Sequence, residues 1–286
     1  MRRLITVLAA TMLLAGCTIQ EPAESTDAAA PSSTVEPLAQ ETTAASLDKV
    51  TTTVDGRERT YLRAVPAGYD ESRSWPVVLA FHGWRETAEV MQRNTGLESA
   101  RAIVVYAEGV DRAWAPAPYA DTSGDEDIAF VRTILAELND EYRVDRGRIF
   151  ATGFSNGGGF AAYLGCQLPE TFTAVAPVGA AYYRAIHEDY TDEPVARLDI
   201  HGTYDRTINY YGGTRHGTPY ESVPVVLEGV ADRNGCDGTS INRRSNSVIE
   251  QHWRGCDMPL IHVRVGGGEH VWPDEATAEV RAFFGV

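Results

Sequence analysis

Ser155 lies at the centre of segment 153–157, whose sequence GFSNG fits the pattern G-x-S-x-G. A serine in this pattern attacks acyl groups when a strand precedes the motif and a helix follows it. Residues 148–152 have the apolar composition of a strand, and residues 158–168 have that of a helix. A glycine-rich turn before any helix matches the same pattern, so the flanking elements are what favour a nucleophilic Ser155.

A serine nucleophile needs a base that takes its proton and an acid that orients the base. In this arrangement the chain order is serine, then acid, then histidine. Asp205 follows the apolar segment 197–201. His270 follows the apolar segment 260–265. Because parallel strands end at one edge of a sheet, where ligands bind, the sequence predicts Ser155, Asp205 and His270 as the catalytic residues.

Asp205 could instead be a solvated loop carboxylate or a helix cap, and His270 could be a surface histidine. The rival bases are less suitable. His262 lies within a predicted strand, and His187 precedes the predicted acid. His216 and His252 belong to the long insert before the last strand. The chain order therefore favours His270.

An acyl-transfer site also needs backbone N–H groups that stabilise the developing oxyanion. Asn156 directly follows the predicted nucleophile. The second donor is expected in the loop after an earlier strand. Strand 77–81 ends in His82-Gly83-Trp84, so we predict the backbone N–H groups of Trp84 and Asn156 as the oxyanion hole. Alternatively, segment 82–84 is an ordinary loop after the strand and has no catalytic role.

Charge and ligand spacing exclude several classes of function. The 286 residues contain 25 Lys and Arg against 40 Asp and Glu, which gives a formal net charge of -15. A nucleic-acid backbone would be repelled, so we predict no nucleic-acid partner. The sequence contains neither an H-E-x-x-H motif nor paired C-x-x-C motifs. We therefore predict no metal and no cofactor.

The elements that must position these residues alternate between strands and helices. Short apolar runs typical of buried parallel strands lie at 77–81, 102–106, 148–152, 174–178, 197–201 and 260–265. Apolar residues at 128, 131, 135 and 138 form one helical stripe, and a last helix is expected to begin at Pro273. An Asp55-Gly56 turn predicts a hairpin between 50–54 and 57–65. The pattern predicts an α/β fold with a mostly parallel central sheet and helices on both faces.

The N-terminus has the features of an export signal. Arg2 and Arg3 precede an apolar run at 4–15, which is too short to remain as a spanning helix. The run ends in LLAGC, which closely resembles the bacterial lipobox, in which the cysteine receives a diacylglycerol. We predict a lipoprotein signal peptide at 1–16 and lipidation of Cys17; an ordinary secretory peptide is the alternative.

Residues 18–47 contain no aromatic residue and are rich in Ala, Ser, Thr, Pro and Glu. Such a segment buries too little apolar surface to fold, so we predict a lipid-anchored, disordered linker at 17–47. Residues 48–286 are predicted to form one catalytic domain. The protein is thus expected to be exported, with the membrane as a partner through the lipid anchor only.

The motifs together resemble those of the polyhydroxybutyrate depolymerase and feruloyl or acetylxylan esterase group of α/β-hydrolases, in its bacterial lipoprotein branch. The resemblance runs from Trp75 to the C-terminus. The matching pieces are 81–83, 105–106 with Gly109, Trp114, 127–130, 142–145, 153–158, 174–178, 201–203 with Asp205, 234–236, 266–268 with His270, and 272–273.

The resemblance implies the α/β-hydrolase fold, ester hydrolysis, and catalytic roles for the matching residues Ser155, Asp205 and His270. It also implies a disulfide between Cys236 and Cys256; free thiols are the alternative. The chain departs from the family pattern at Glu269, before the histidine, and at Glu108, in the segment YAEG.

Aromatic residues near the predicted loops are expected to line the substrate cleft. They are Trp114, Tyr119, Tyr210 and Tyr211, with Trp84 beside them. The sequence therefore predicts an exported serine esterase that acts on a polyester or an acylated polysaccharide. A serine peptidase of the same fold and a tethered, non-catalytic binding protein are the alternatives.

Overall fold

A computed structural model describes residues 44–188 and 191–286 of the chain. The strands are β1 Ala44–Val54, β2 Arg57–Pro66, β3 Trp75–Phe81, β4 Ile103–Ala107, β5 Val144–Phe154, β6 Ala174–Val178, β7 Ala196–Gly202, β8 Gly213–Arg215, β9 Thr218–Tyr220, β10 Gly238–Arg243, β11 Val248–Arg254 and β12 Leu260–Val265. The helices are α1 Ala88–Thr95, α2 Gly124–Glu141, α3 Asn156–Gln167, α4 Val223–Arg233 and α5 Ala276–Phe284. The predicted signal peptide, Cys17 and linker residues up to 43 lie outside the described residues.

Ten strands form one sheet in the order β1-β2-β4-β3-β5-β6-β7-β12-β11-β10. The six strands from β4 to β12 in this order run parallel to one another. An antiparallel pair extends each side of this parallel set. The predicted α/β fold with a mostly parallel sheet is therefore confirmed.

Helices cover both faces of the sheet, as the continuous apolar strands require. Alternate residues of β3 point to opposite faces: Val77, Leu79 and Phe81 pack with α2 and α3, whereas Val78 and Ala80 pack with α1 and α5. Helix α4 covers a third apolar cluster beside the end of β12. Because every residue of β3 and β4 is buried, their sequences show no polar alternation. Among the described residues, no helix is both long and apolar enough to span a membrane.

The elements differ from the prediction both in their boundaries and in their number. Strand β1 begins at Ala44, whereas the predicted hairpin strand began at residue 50 and the predicted domain at residue 48; Ser46 to Lys49 pair with β2 in register. Helix α5 begins at Ala276, after Pro273. The sequence pattern indicated neither α1 nor α4. It also missed the β10–β11 pair, whose polar sequence looks like a loop and which pairs through long-range contacts with β12.

The parallel strands bring their carboxyl ends to one edge of the sheet. The loops that follow β3, β5, β7 and β12 at this edge contain Trp84, Ser155, Asp205 and His270 respectively. Four predicted residues that are distant in the sequence thus meet along one rim.

Candidate active site

Ser155 occupies a sharp turn between β5 and α3. Its backbone has φ 54° and ψ -113°, a conformation that side chains rarely adopt. A side-chain carbon at Gly153 would collide with the backbone of Gly157, and one at Gly157 would collide with the carbonyl oxygen of Phe81. The two glycines of the motif are therefore required by close backbone approach. The turn leaves Ser155 9% exposed, with its hydroxyl facing the rim.

His270 connects Ser155 to Asp205 through two hydrogen bonds. The distance from Ser155 Oγ to His270 Nε2 is 2.9 Å, and the distance from His270 Nδ1 to Asp205 Oδ2 is 2.6 Å. With Nδ1–H donated to the carboxylate, Nε2 is free to accept the serine proton. The arrangement can therefore deprotonate the serine hydroxyl as it attacks an acyl carbon.

Asp205 is held by backbone groups as well as by histidine. Its Oδ1 accepts hydrogen bonds from the N–H groups of Thr207 at 2.8 Å and Ile208 at 2.7 Å. Burial alone would raise the pKa of this carboxyl group. Hydrogen bonds from His201 and His270 outweigh burial and hold the pKa of Asp205 well below its usual range. The acid is thus ionised over the range in which an esterase works.

His201 is a second imidazole beside this carboxylate that the pattern analysis did not identify. Its Nε2 lies 3.4 Å from Asp205 Oδ2 and 3.0 Å from the carbonyl oxygen of Ile208. In the sequence, His201 looked like the last residue of an apolar strand. The only available signal was the spacing of four residues between His201 and Asp205.

His82 joins the loops that follow β3 and β4. Its Nδ1 lies 2.8 Å from the carbonyl oxygen of Gly83, and its Nε2 accepts a hydrogen bond from the N–H of Gly109 at 3.0 Å. Burial lowers the pKa of His82 to about 4. The ring is therefore neutral at pH 7 and acts as a support of the turn that contains Trp84.

The side chain of Asn156 fixes a neighbouring loop. It accepts a hydrogen bond from the N–H of Trp114 at 2.8 Å and donates one to the carbonyl oxygen of the same residue at 2.9 Å. Because Asn156 is the first residue of α3, its own N–H has no acceptor in a preceding turn. The loop containing Trp84 approaches the same turn, since Gly157 packs on the carbonyl groups of Phe81 and His82. An oxyanion hole of Trp84 and Asn156 stays a prediction that fits this geometry.

Two of the predicted cleft residues are buried, and their assignment to the cleft is wrong. Trp114 is 0% exposed; its ring stacks on Phe160 at 5.1 Å and packs edge-on against Phe81. Tyr210 is 5% exposed, and its hydroxyl lies 2.9 Å from His262 Nε2. Both aromatic rings fill the interior under the rim.

The aromatic group that does lie beside the site consists of Trp84, Tyr119 and His216, which we call the aromatic trio. The ring centroids of Trp84 and Tyr119 are 4.8 Å apart, and the His216 ring lies 4.5 Å from each of them. His216 stands at the turn of the β8–β9 hairpin, where its φ is 52°. Tyr211 is 71% exposed next to Tyr210. The hairpin thus brings a histidine, not predicted for the cleft, onto the residue proposed as an oxyanion donor.

The two departures from the family pattern lie in different loops, and only Glu108 has a structural role. Glu108 Oε2 accepts a hydrogen bond from the N–H of Ala88 at 2.6 Å, so its carboxylate caps the start of α1. Burial raises the pKa of Glu108. The side chain of Glu269 is exposed, and no hydrogen bond joins it to Ser155 or Asp205 within the described residues. Glu108 therefore supports the loop after β4, and Glu269 leaves the histidine in place.

The structure joins Cys236 and Cys256 in a disulfide, and Cys166 is a free, buried thiol. The bridge links the end of α4 to the segment that precedes β12. Across residues 44–188 and 191–286, no group of three or more His, Cys, Asp or Glu side chains is placed to hold a metal ion.

Proteins of similar sequence are esterases. Feruloyl esterase C of Emericella nidulans is 30% identical over 228 residues, which cover 75% of this chain and 77% of the relative. The putative esterase NocK of Nocardia uniformis subsp. tsuyamanensis is 28% identical over 253 residues, with coverage of 77% and 72%. No protein-family model matches the chain.

Solved structures of esterases share the fold. The acetyl xylan esterase from Aspergillus awamori has a TM-score of 0.64 and 17% identity, over 84% of this chain and 99% of its own. The CE1 ferulic acid esterase from Anaeromyces mucronatus has a TM-score of 0.55 and 18% identity, over 84% and 91%. At such identities the likeness shows the fold alone, which agrees with the relationship by sequence. The chain is therefore a carboxylic ester hydrolase with the α/β-hydrolase fold, and it belongs to the family of feruloyl esterase C.

Proposed function

We propose that the protein hydrolyses esters through an acyl-enzyme formed on Ser155, with His270 as base and Asp205 as orienting acid. The observation that carries the proposal is the continuous hydrogen-bonded series Ser155–His270–Asp205, with distances of 2.9 Å and 2.6 Å. A nucleophile, a base and an orienting acid in hydrogen-bond contact are what acyl transfer by a serine requires.

In the first half of the reaction, Ser155 Oγ attacks the ester carbonyl carbon as its proton passes to His270 Nε2. The N–H groups of Trp84 and Asn156 stabilise the negative charge on the carbonyl oxygen. His270 then donates its proton to the leaving alcohol oxygen. In the second half, His270 takes a proton from water, whose oxygen attacks the acyl carbon, and the proton returns to Ser155 as the acid product leaves.

The proposed substrates are aromatic or acetyl esters of a polysaccharide. The relatives are named feruloyl esterase, and a structural neighbour is named acetyl xylan esterase. The aromatic trio supports an aromatic acyl group, because Trp84 follows directly after the turn at the rim and belongs to a group of rings against which a planar substrate could pack. A polyester remains the other substrate to include in a test.

We further propose that residues 1–16 are a lipoprotein signal peptide, that Cys17 is lipidated, and that a linker precedes the catalytic domain. Strand β1 starts at the edge of the sheet opposite Ser155, since Ala44 pairs with Pro66 at the end of β2. The first described residue of the domain therefore lies at the end of the strands away from the rim.

A panel of esters tests the proposal. The purified protein is assayed with methyl ferulate, acetylated xylan, polyhydroxybutyrate and a dipeptide anilide, and it is treated with a fluorescent organophosphonate. Ester turnover with labelling at Ser155 supports a serine esterase. Turnover of the anilide alone would indicate a peptidase. Neither labelling nor turnover would indicate a binding protein that has lost catalysis.

A further inference from the structure

A file of buried polar side chains lies along one face of β7. Arg197, Asp199 and His201 alternate with apolar residues, so all three point to the same side of the sheet. Each is almost completely buried. This polar file ends at the loop that contains Asp205. Burial of charged and polar groups costs free energy unless hydrogen bonds or ion pairs compensate them, so we consider the partners of each side chain in turn.

The first two members of the file compensate each other. Arg197 lies 3.0 Å from Asp199 Oδ2, which also accepts a hydrogen bond from the hydroxyl of Tyr182. His262 Nδ1 lies 3.4 Å from Asp199 Oδ1. These contacts explain the lower part of the file without reference to catalysis.

His201 differs because its partners belong to the catalytic loop. Its Nε2 faces two acceptors, the carbonyl oxygen of Ile208 at 3.0 Å and Asp205 Oδ2 at 3.4 Å. Since both are acceptors, this nitrogen carries the proton. Nδ1, on the other side of the ring, is buried and has no partner among the described residues. The ring therefore makes its polar contacts only with the loop of Asp205.

We propose that His201 is a positioning residue for catalysis, which holds the carboxylate of Asp205 in line with His270. The proposal rests on the proposed role of Ser155, His270 and Asp205. Backbone N–H groups fix Oδ1 of the carboxylate, whereas His270 and His201 share Oδ2. His201 also ties the Ile208 carbonyl to the same imidazole, so one ring supports both the loop and its carboxylate.

The two distances to Asp205 Oδ2 show that the contacts of His270 and His201 differ in strength. At 2.6 Å, His270 makes the stronger contact, and at 3.4 Å, His201 adds a weaker, lateral donor. Both His201 and His270 lower the pKa of Asp205 and thereby oppose the effect of burial. Among the described residues, loss of this donor leaves Oδ2 with one partner and the Ile208 carbonyl with none. A shift of about 1 Å in the carboxylate can reduce the rate on the order of 100-fold.

The test compares three variants of the whole protein in an ester assay. His201→Leu removes the donor, and His201→Gln restores an N–H at nearly the same reach from the backbone. Tyr182→Phe is the matched control, since it removes a buried hydrogen bond from the same file without touching Asp205. We expect His201→Leu to lower kcat about 10- to 100-fold with KM nearly unchanged. We expect His201→Gln to recover most of kcat, and Tyr182→Phe to lose stability but keep kcat.

The rate of inactivation by an organophosphonate provides a second readout. This rate depends on proton removal from Ser155 by the base, but it does not depend on hydrolysis of the acyl-enzyme or on product release. It should fall in parallel with kcat in His201→Leu and recover in His201→Gln. If His201→Leu does not fold, His201→Asn replaces it as the test variant. The Asn amide is one bond closer to the backbone than the Gln amide, so we expect low kcat and slow inactivation in His201→Asn and near-normal values in His201→Gln.

Wild-type kcat in His201→Leu, or equal losses of kcat in His201→Gln and His201→Leu, would overturn the proposal. Ser155→Ala separates this failure from a failure of the proposed function. An inactive Ser155→Ala beside a fully active His201→Leu rejects the positioning role alone. An active Ser155→Ala rejects the serine mechanism on which the positioning role rests.

Discussion

The guanidinium of Arg59 lies 3.0 Å from the carboxylate of Asp127, and both side chains are almost completely buried. The same carboxylate accepts hydrogen bonds from the N–H of Ala115 at 2.9 Å and from the Thr122 hydroxyl at 2.8 Å. Arg59 also stacks over the ring of Phe130 at 4.0 Å. An ion pair between β2 and α2 thus fixes the loop whose Trp114 backbone is bound by Asn156.

We expect Arg59→Leu to lower the free energy of unfolding by about 3–5 kcal/mol, because it leaves the Asp127 charge buried without its partner. The double variant Arg59→Leu/Asp127→Leu should be more stable than Arg59→Leu, since it removes the isolated charge. Urea unfolding of the three proteins measures both effects. A single variant as stable as the wild type would show that the loop does not depend on the pair.

The nucleophile has a direct test. Ser155→Ala should lower kcat by about 10⁴-fold or more, because no other hydroxyl replaces the hydrogen bond to His270. The melting temperature should stay close to that of the wild type, since the backbone turn is set by Gly153 and Gly157. Activity near the wild-type level would reject Ser155 as the nucleophile.

Acid should destabilise the protein through His82. Its pKa is about 4 in the folded state, against about 6.5 for an unperturbed histidine. Between these values the unfolded state binds a proton that the folded state does not, so stability falls as the pH drops from about 6.5 to 4. The loss is on the order of 3 kcal/mol from this group.

Urea unfolding at several pH values measures this dependence. His82→Gln keeps an acceptor for the N–H of Gly109 but does not titrate, so its stability should fall less steeply over the same window. The difference between the two slopes isolates His82 from other histidines. Identical slopes would contradict the assignment of His82 as a neutral, buried support.

The disulfide should contribute to stability more than to rate. It joins cysteines 20 residues apart, and the entropy of closing such a loop is worth roughly 3 kcal/mol. Asn234 holds the same region independently: its side chain donates to the carbonyl groups of Val195 and Met258. We therefore expect Cys236→Ser to lower the melting temperature clearly and kcat only a few-fold.

Asn234→Ala in the Cys236→Ser background is the companion variant for the disulfide. It should lower kcat further, because the segment before β12, which leads to His270, then loses the disulfide and the side-chain hydrogen bond to the Met258 carbonyl and keeps only its backbone hydrogen bonds. Mass mapping of peptides without reduction should recover Cys236 linked to Cys256. A peptide that links Cys166 would refute this pairing.

The predicted membrane attachment of the protein is tested by substitution of Cys17. Cys17→Ser should prevent lipidation and cleavage before this residue, so the variant should remain in the aqueous phase of a detergent partition. The wild type should enter the detergent phase. A wild type found entirely in the aqueous phase would reject the lipoprotein prediction.

The order of Ser155, Asp205 and His270 along the chain, each after an apolar strand, was enough to predict which edge of the sheet they share. This was possible because strand burial and the G-x-S-x-G turn are local properties, and because parallel strands necessarily end at one edge. The fold class followed from the same local alternation, and esterase relatives confirm the class of reaction.

Only the tertiary structure decided which side chains at that edge face the substrate and which are buried beneath it. Trp114 and Tyr210 look like cleft residues in the sequence, yet packing against Phe160 and His262 turns them inward. His216 and His201 look incidental, yet a hairpin and a strand place them against Trp84 and Asp205. The physical reason is that burial and hydrogen bonding depend on distances between elements far apart in the chain, which local periodicity does not encode.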